Sequence, residues 1–283
     1  MADQLPGAIE TLGPLVRRLL APNPSSFTSS GTQSYVVGRG RVAVIDPGPA
    51  IPEHLDAILA ALSGETVTAI VCTHTHRDHS PAGRALAAAT GAPIVGCAML
   101  APFADDTPAD ESFDFDYAPD RVLADGERLE GEGWTLEAVA TPGHTSNHLC
   151  FALPQAHALF SGDHVMGWST SIVSPPDGDM AAYVASLEKL LGRGERVYYP
   201  GHGDAVADPR ERVRALIAHR RAREAAIVLR LRAGDRRAPD MVRSIYTDVD
   251  PDLHEAAERS VLAHLIDLEA RGLASRDGDR WSS

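Results

Sequence analysis

Val67-Thr68-Ala69-Ile70-Val71-Cys72, followed at once by Thr73-His74-Thr75-His76-Arg77-Asp78-His79, decides how this sequence is read. The first run is apolar on both faces, as a strand buried between two layers is. Four metal-competent side chains, His74, His76, Asp78 and His79, then fall within six residues where that strand ends. His74 and His76, two apart, face the same side while the chain stays extended. Asp78 and His79 follow where the chain turns into a helix expected over about Gly83 to Thr90. Imidazole and carboxylate together suit zinc or another borderline divalent cation.

Three further candidates sit in matching surroundings downstream. His144 lies in Thr141-Pro-Gly-His-Thr after a strand beginning at Trp134, and Asp163 lies in Phe160-Ser-Gly-Asp-His after a short apolar strand. His202 lies in Tyr199-Pro-Gly-His-Gly after a strand near Arg196. Each is a small-residue turn at a strand end presenting one ligand, the pattern of loops carrying function on a rigid scaffold.

Around these motifs the chain alternates strands and helices. Strands are expected at Tyr35 to Val37, Arg41 to Ile45, Trp134 to Ala140, His148 to Leu153, Ala158 to Ser161 and Arg196 to Tyr199, and helices at Pro52 to Leu62 and Met180 to Leu191. This is an α/β layered domain. From Pro209 helical periodicity takes over: one long amphipathic helix, a short one near Met241 to Tyr246, and a third over Leu253 to Arg271 ended by Gly272. A hairpin with an Asp277-Gly278 turn closes the chain. The division expected is a catalytic domain at 1–208 and a helical, winged-helix-like domain at 209–283. An acidic stretch over residues 104–120, interleaved with Pro and Phe, reads as a surface loop or as a lid over the site.

The 283 residues carry a net charge of −13, unevenly placed. Residues 1–208 hold 11 basic and 26 acidic groups, whereas 209–283 hold 15 and 13. This excludes a protein that coats nucleic acid non-specifically. The three cysteines, Cys72, Cys97 and Cys150, are scattered without CxxC spacing and read as reduced core thiols. With no signal peptide and no apolar run of about 20 residues, the expectation is a cytoplasmic protein with no membrane segment.

The motif set HTHRDH, PGHT, SGDH and PGHG resembles the metallo-β-lactamase superfamily over about residues 30 to 205, and the Asp46-Pro-Gly turn is similar to its early Asp motif. Within it the chain looks most like the lactamase-β-like branch, which has a long helix and a winged-helix-like tail after the PGHG motif. The resemblance implies a four-layer αββα sandwich and two zinc ions per chain. His74, His76 and His144 would hold the first, and Asp78, His79 and His202 the second, with Asp163 bridging. Asp46 would be a buried partner steadying the ligand loop. His148 and His164 are read as supporting residues, and His54, His157, His219, His254 and His264 as ordinary surface or core residues.

The implied activity is hydrolysis of an ester-like bond (thioester, ester or lactone) in a small-molecule substrate by a metal-bound hydroxide that Asp78 orients. No GxSxG elbow occurs, and no cysteine lies in a histidine motif, so a covalent serine or thiol route has no support. Three rivals follow. One is a metal-dependent endoribonuclease on single-stranded RNA, favoured by the 10 Arg against 3 acids of Pro209 to Arg237. The helix from His254 to Arg271 is net acidic, which speaks against duplex recognition and leaves packing or a homodimer as the tail's role. The second is a mono-iron persulfide dioxygenase; the di-iron type typically has Glu where this chain has His76. The third is a DNA-binding regulator built on the tail.

Overall fold

In the computed structural model, which describes residues 4–101, 103 and 112–283, the chain divides into two packed units. The first takes in the described residues through Ala140 together with 147–169 and 194–209. The second takes in 141–146, 170–193 and 210–283. Of the stretch read as a surface loop or lid, 104–111 lie outside the described residues.

Two facing sheets make up the first unit. The larger holds, in chain order, β1 (Glu10–Thr11), β2 (Val16–Leu20), β3 (Gln33–Arg39), β4 (Arg41–Ile45), β5 (Thr66–Cys72), β6 (Ile94–Gly96) and β7 (Arg121–Val122). β1 to β4 pair antiparallel and β4 to β7 parallel. Parallel neighbours need a crossover. Here α1 (Pro52–Ala61) joins β4 to β5, and α2 (Ala82–Thr90) joins β5 to β6. Pro52 opens α1 where a missing N–H costs nothing, and Gly91 closes α2 in the left-handed region at φ 72. The smaller sheet runs β12 (Val197–Pro200), β11 (Ala158–Gly162), β10 (Leu149–Leu153), β9 (Trp134–Ala140) and β8 (Arg128–Gly131), with only the β11–β12 pair parallel.

Val36, Val44, Ile45 and Ile70 of the larger sheet form one buried cluster with Leu136, Phe151 and Phe160 of the smaller. Burying such side chains stabilises by roughly 1.5–3 kcal/mol each before chain entropy is counted. The rings of Tyr35, Phe160 and Tyr199 lie 5.1 to 5.7 Å apart across the sandwich. The Trp134 indole N–H donates to the Arg41 carbonyl at 3.0 Å, so that its polar atom is satisfied where the ring is buried. β2 is a strand that alternation does not announce, because Val-Arg-Arg-Leu-Leu reads as charged. Arg17 and Arg18 are nevertheless buried, neutralised by Glu65 at 2.7 Å and Glu10 at 2.8 Å.

The second unit holds the helices α3 (Met180–Leu191), α4 (Pro209–Ala233), α5 (Ala238–Ile245) and α6 (His254–Ala270), then the hairpin of β13 (Ser275–Asp277) and β14 (Arg280–Ser282). The Asp179 carboxylate caps α3 by accepting from Ala182 N at 2.8 Å. Ile227 and Leu231 of α4, Met241 of α5, Val261 and Leu265 of α6, and Trp281 form the core of the tail. The hairpin turn is Gly278-Asp279, one residue beyond the expected position. Asp277 pairs with Arg280, and Gly278 supplies the positive φ of 61 that a two-residue turn requires. Among the described residues no helix is long and apolar enough to cross a membrane.

Candidate metal centre

The ligand loop begins where β5 ends, and its neighbour β4 determines how it is held. Asp46, just past β4, donates its N–H to Val71 O at 2.8 Å and sits at φ 48, a left-handed conformation that Asp tolerates. Its buried carboxylate accepts from Thr73 N and Thr73 Oγ1, each at 2.8 Å, and faces His79 Nδ1 at 3.0 Å. Thr73 has one hydroxyl proton, and it goes to Asp46. The Thr73 oxygen can therefore only accept from His74 Nδ1, 2.9 Å away.

Asp46 thus orients two imidazoles, His79 directly and His74 through Thr73, by holding each at Nδ1 and turning its Nε2 to the ligand cluster. His202 is fixed alike, with Nδ1 3.2 Å from the Gly31 carbonyl, and so is His144, with Nδ1 2.6 Å from the Ile172 carbonyl. Orienting a ligand by the hydrogen bond on its other nitrogen is how protein sites prepare histidines for metal.

Six of the seven expected ligands come together within the first unit. Ligand atoms of His74, His76 and Asp163 form one group, and those of Asp78, His79 and His202 a second, each within 4.8 Å. His74 Nε2 lies 3.0 Å from His76 Nδ1, and His79 Nε2 lies 3.4 Å from His202 Nε2. Asp78 Oδ2 is 3.2 Å from His202 Nε2 and 3.5 Å from His79 Nε2. Asp163 places Oδ1 3.4 Å from His79 and Oδ2 3.3 Å from His202. Metal–nitrogen bonds of about 2.0–2.1 Å in tetrahedral array put neighbouring ligand atoms about 3.3 Å apart. The observed separations bracket that edge, so the donors fit a pair of zinc-sized cations.

Charge points the same way. Burial disfavours the charged imidazolium of His79, yet Asp78 and Asp163 outweigh it and raise its pKa well above the usual value. Burial likewise opposes His202, which the same carboxylates push up to about 9. Burial would raise Asp163 and Asp78, but the facing imidazoles hold both well below the usual carboxylate range. The pocket is built to keep two carboxylates ionised beside positive charge.

His144 belongs by packing to the second unit, on the loop leaving the smaller sheet at Ala140 and re-entering at Leu149. Those residues are register partners, and Leu149 N donates to Thr73 O at 2.8 Å, so the loop's anchor is stitched to the residue before His74. His148 Nε2 accepts from Asp163 N at 3.3 Å, and its ring lies 5.2 Å from that of His74. His164 is buried, its ring 5.8 Å from that of His148.

Two glycines matter through what is absent. A Cβ at Gly201 would lie 2.5 Å from Asp163 Oδ1 and 2.6 Å from His79 Cε1; at Gly162 it would lie 2.7 Å from His148 Nε2. Sequence reasoning singled out no individual ring near the ligands, although Phe113 falls in the 104–120 stretch read as a surface loop or lid. Phe113 lies 4.6 Å from the His76 ring, and Trp168 packs on Gly203 beside His202. They lie on separate loops far apart from each other in sequence, and no local pattern marks them.

Comparison with known proteins gives this geometry its family. Residues 28–202 match the metallo-beta-lactamase superfamily, a span that contains all seven of the expected ligands. The chain belongs to that superfamily. Residues 238–281 match the beta-lactamase associated winged helix domain, so this metallo-beta-lactamase fold carries a winged helix at its C-terminal end.

Among relatives, an atrochrysone carboxyl ACP thioesterase of Aspergillus terreus is 34% identical over 247 residues, 86% of this chain and 72% of that one. The atrochrysone carboxyl ACP thioesterase nsrC of Aspergillus novofumigatus is 32% identical over 234 residues. That match covers 81% of this chain but 66% of the relative, just under two thirds of its length. A beta-lactamase domain protein from Burkholderia ambifaria superposes with a TM-score of 0.83 at 22% identity, over 99% of this chain and 95% of the other, and shares the fold.

Proposed function

We propose that this metallo-beta-lactamase-fold chain is a dinuclear zinc hydrolase of small-molecule thioesters. His74, His76 and His144 would hold one ion, Asp78, His79 and His202 the other, and Asp163 would lie between them. The observation that carries the reading is the set of oriented imidazoles whose nitrogens converge on two carboxylates at tetrahedral-edge spacing. The names of the relatives support the thioester among ester-like bonds.

Bound at this site, two divalent cations would supply the Lewis acidity that makes water a nucleophile near neutral pH and polarises a carbonyl. The chain's own groups do the rest. Asp78, side chain 26% exposed and 3.4 Å from the Thr32 hydroxyl, is placed to accept a hydrogen bond from the attacking water and aim its lone pair. No side chain competes as nucleophile among the cysteines: all three are buried, and burial pushes the Cys72 and Cys97 thiols up. Three reduced thiols also fit a cytoplasmic location.

The test is a parallel assay of thioesters, lactones, β-lactams, phosphodiesters and single-stranded RNA with metal-replete protein. Thioester turnover should dominate. Asp163→Ala should lose bound metal and hydrolysis while keeping the native circular dichroism spectrum. Turnover retained in that variant refutes the reading, and RNA cleavage exceeding thioester turnover would move the protein to the nuclease class.

A further inference from the structure

The 10 arginines between Pro209 and Arg237 do not share one environment. Arg221, Arg230 and Arg237 pair with Glu188, Asp235 and Asp279 at 2.6 to 2.8 Å. Among the described residues Arg220 is the one member of the set that is buried, at 3% exposure, and no carboxylate pairs with it. A buried guanidinium without a counter-charge is costly, so a fold that keeps one there needs what it holds.

Its contacts lie on the segment that leads into α3. Arg220 Nη2 donates to the Ser171 carbonyl, and the guanidinium stands 5.1 Å from the Tyr183 ring centroid, within cation–π range. The Tyr183 hydroxyl donates to Ser171 Oγ at 3.2 Å, so Ser171 is held by both side chain and backbone. The next carbonyl along, Ile172 O, faces His144 Nδ1 at 2.6 Å. A carbonyl only accepts, so this bond puts the ring proton on Nδ1 and leaves Nε2 as the nitrogen able to take a metal. The rest of the His144 loop rests on the same segment and on α3. Asp179 N donates to Gly143 O at 2.9 Å, Ser146 N to Asp177 Oδ2 at 2.8 Å and Ser186 Oγ to Pro142 O at 2.8 Å. A Cβ at Gly143 would lie 2.3 Å from Tyr183 Cα, so the loop has no slack toward α3. Every one of these contacts lies within the second unit.

We infer that Arg220 is a positioning residue for the metal centre. It fixes the peptide plane that joins Ser171 to Ile172, one Cα before the carbonyl that takes His144, and so holds that imidazole in the orientation a ligand needs. The inference rests on the dinuclear reading for the role of His144, and on contacts within the second unit for the hold itself. It gives α4, a helix of the tail, a part in preparing the site.

The experiment uses the full chain and two readouts, zinc affinity and the tautomer of His144. Arg220→Met keeps the length and apolar bulk of the side chain and removes its donors and charge. Losing the buried charge and leaving the Ser171 carbonyl unpaired offset one another, so the urea midpoint of the metal-free protein should move little. Competition for zinc with a chromogenic chelator should show one of two equivalents weakened about tenfold, the low end of what losing a ligand's outer partner does. In the metal-free protein at mildly alkaline pH, two-bond proton–nitrogen spectra should show the His144 ring passing from the Nδ1-protonated tautomer to a mixture. Arg220→Lys, which keeps a donor and a charge, should restore both readouts. Trp281→Ala loosens the tail core away from these contacts, and should lower the urea midpoint while leaving both readouts as in the native chain. Two zinc equivalents unmoved in Arg220→Met overturn the inference and leave the dinuclear reading standing, as does an equal weakening in Trp281→Ala. Fewer than two zinc ions bound by the native chain overturns the dinuclear reading. A tautomer that still shifts in Arg220→Met then keeps the hold on His144, and one that does not shift overturns that as well.

Discussion

Asp46→Asn should weaken both metal equivalents, though Asp46 touches neither proposed cation. The carboxylate accepts three hydrogen bonds. An amide of the same shape keeps the one from Thr73 N and turns a donor toward His79 Nδ1 and Thr73 Oγ1. His79 can then keep its Nδ1 proton only unpaired, so the tautomer bearing the proton on Nε2 gains. Thr73, now receiving from the amide, turns its own proton toward His74 Nδ1 and reverses that ring as well. Two bonds to a buried charge are lost at about 1.5 kcal/mol each, which puts the stability loss near 3 kcal/mol.

Losing the partner of a ligating histidine typically costs 10- to 100-fold in metal affinity, or about 1.4–2.7 kcal/mol per site. Competition for zinc with a chromogenic chelator resolves the two equivalents, and urea melts of the metal-free protein give the stability term. Thr73→Val is the companion variant, because it cuts only the branch to His74 and should weaken one equivalent. If Asp46→Asn moves one equivalent or none by more than about threefold, the relay through Thr73 is wrong.

Gly201→Ala should lower metal stoichiometry and cut activity at least about tenfold, since its Cβ would collide with Asp163 and His79; metal analysis of the purified variant checks it. In the tail, His264 is buried, and burial, then Arg220, His219 and Arg271, lower its pKa to about 3. It is neutral when folded and ordinary when unfolded, so its stabilisation is whole above about pH 6.5 and drains away as pH falls toward that lowered value. The loss reaches about 2 kcal/mol near pH 5, and His264→Leu should flatten the fall of urea midpoints between pH 7 and 5. Trp281→Ala removes the largest ring of the tail core and should cost about 3–5 kcal/mol, seen as an earlier unfolding step in calorimetry.

Much of this site was legible because its donors are bunched. Four ligands crowd the end of a strand with an unmistakable two-faced apolar pattern, and Asp163, His144 and His202 each follow glycine, where sterics leave room for a ligand near backbone. The helices were readable for the same local reasons, with Pro52 and Pro209 at starts and Gly272 at an end. What escaped depends on partners far along the chain. β2 looked charged because Glu10 and Glu65, which neutralise its arginines, lie elsewhere. Asp46 could be named as a partner of the loop, but its hold on two imidazoles appears only once β4 lies beside β5. Phe113 and Trp168 gave no periodicity, since rings set on separate loops far apart in the chain have none.

The borders of the two sheets have a consequence for how the protein keeps to itself in solution. The larger sheet ends on one side in β1 and on the other in β7, each two residues long, exposed and carrying a charged side chain. The smaller ends in β8, which alternates Arg and Glu with Leu and Gly, and in β12, which closes on Pro200 and is bridged at Tyr198 by Val206. Short, charged or proline-blocked borders offer little template for a strand from another copy. Self-association by sheet extension, the usual route from a β-rich fold to aggregates, is therefore closed at each border, and a homodimer would have to form through side chains rather than through shared backbone ladders.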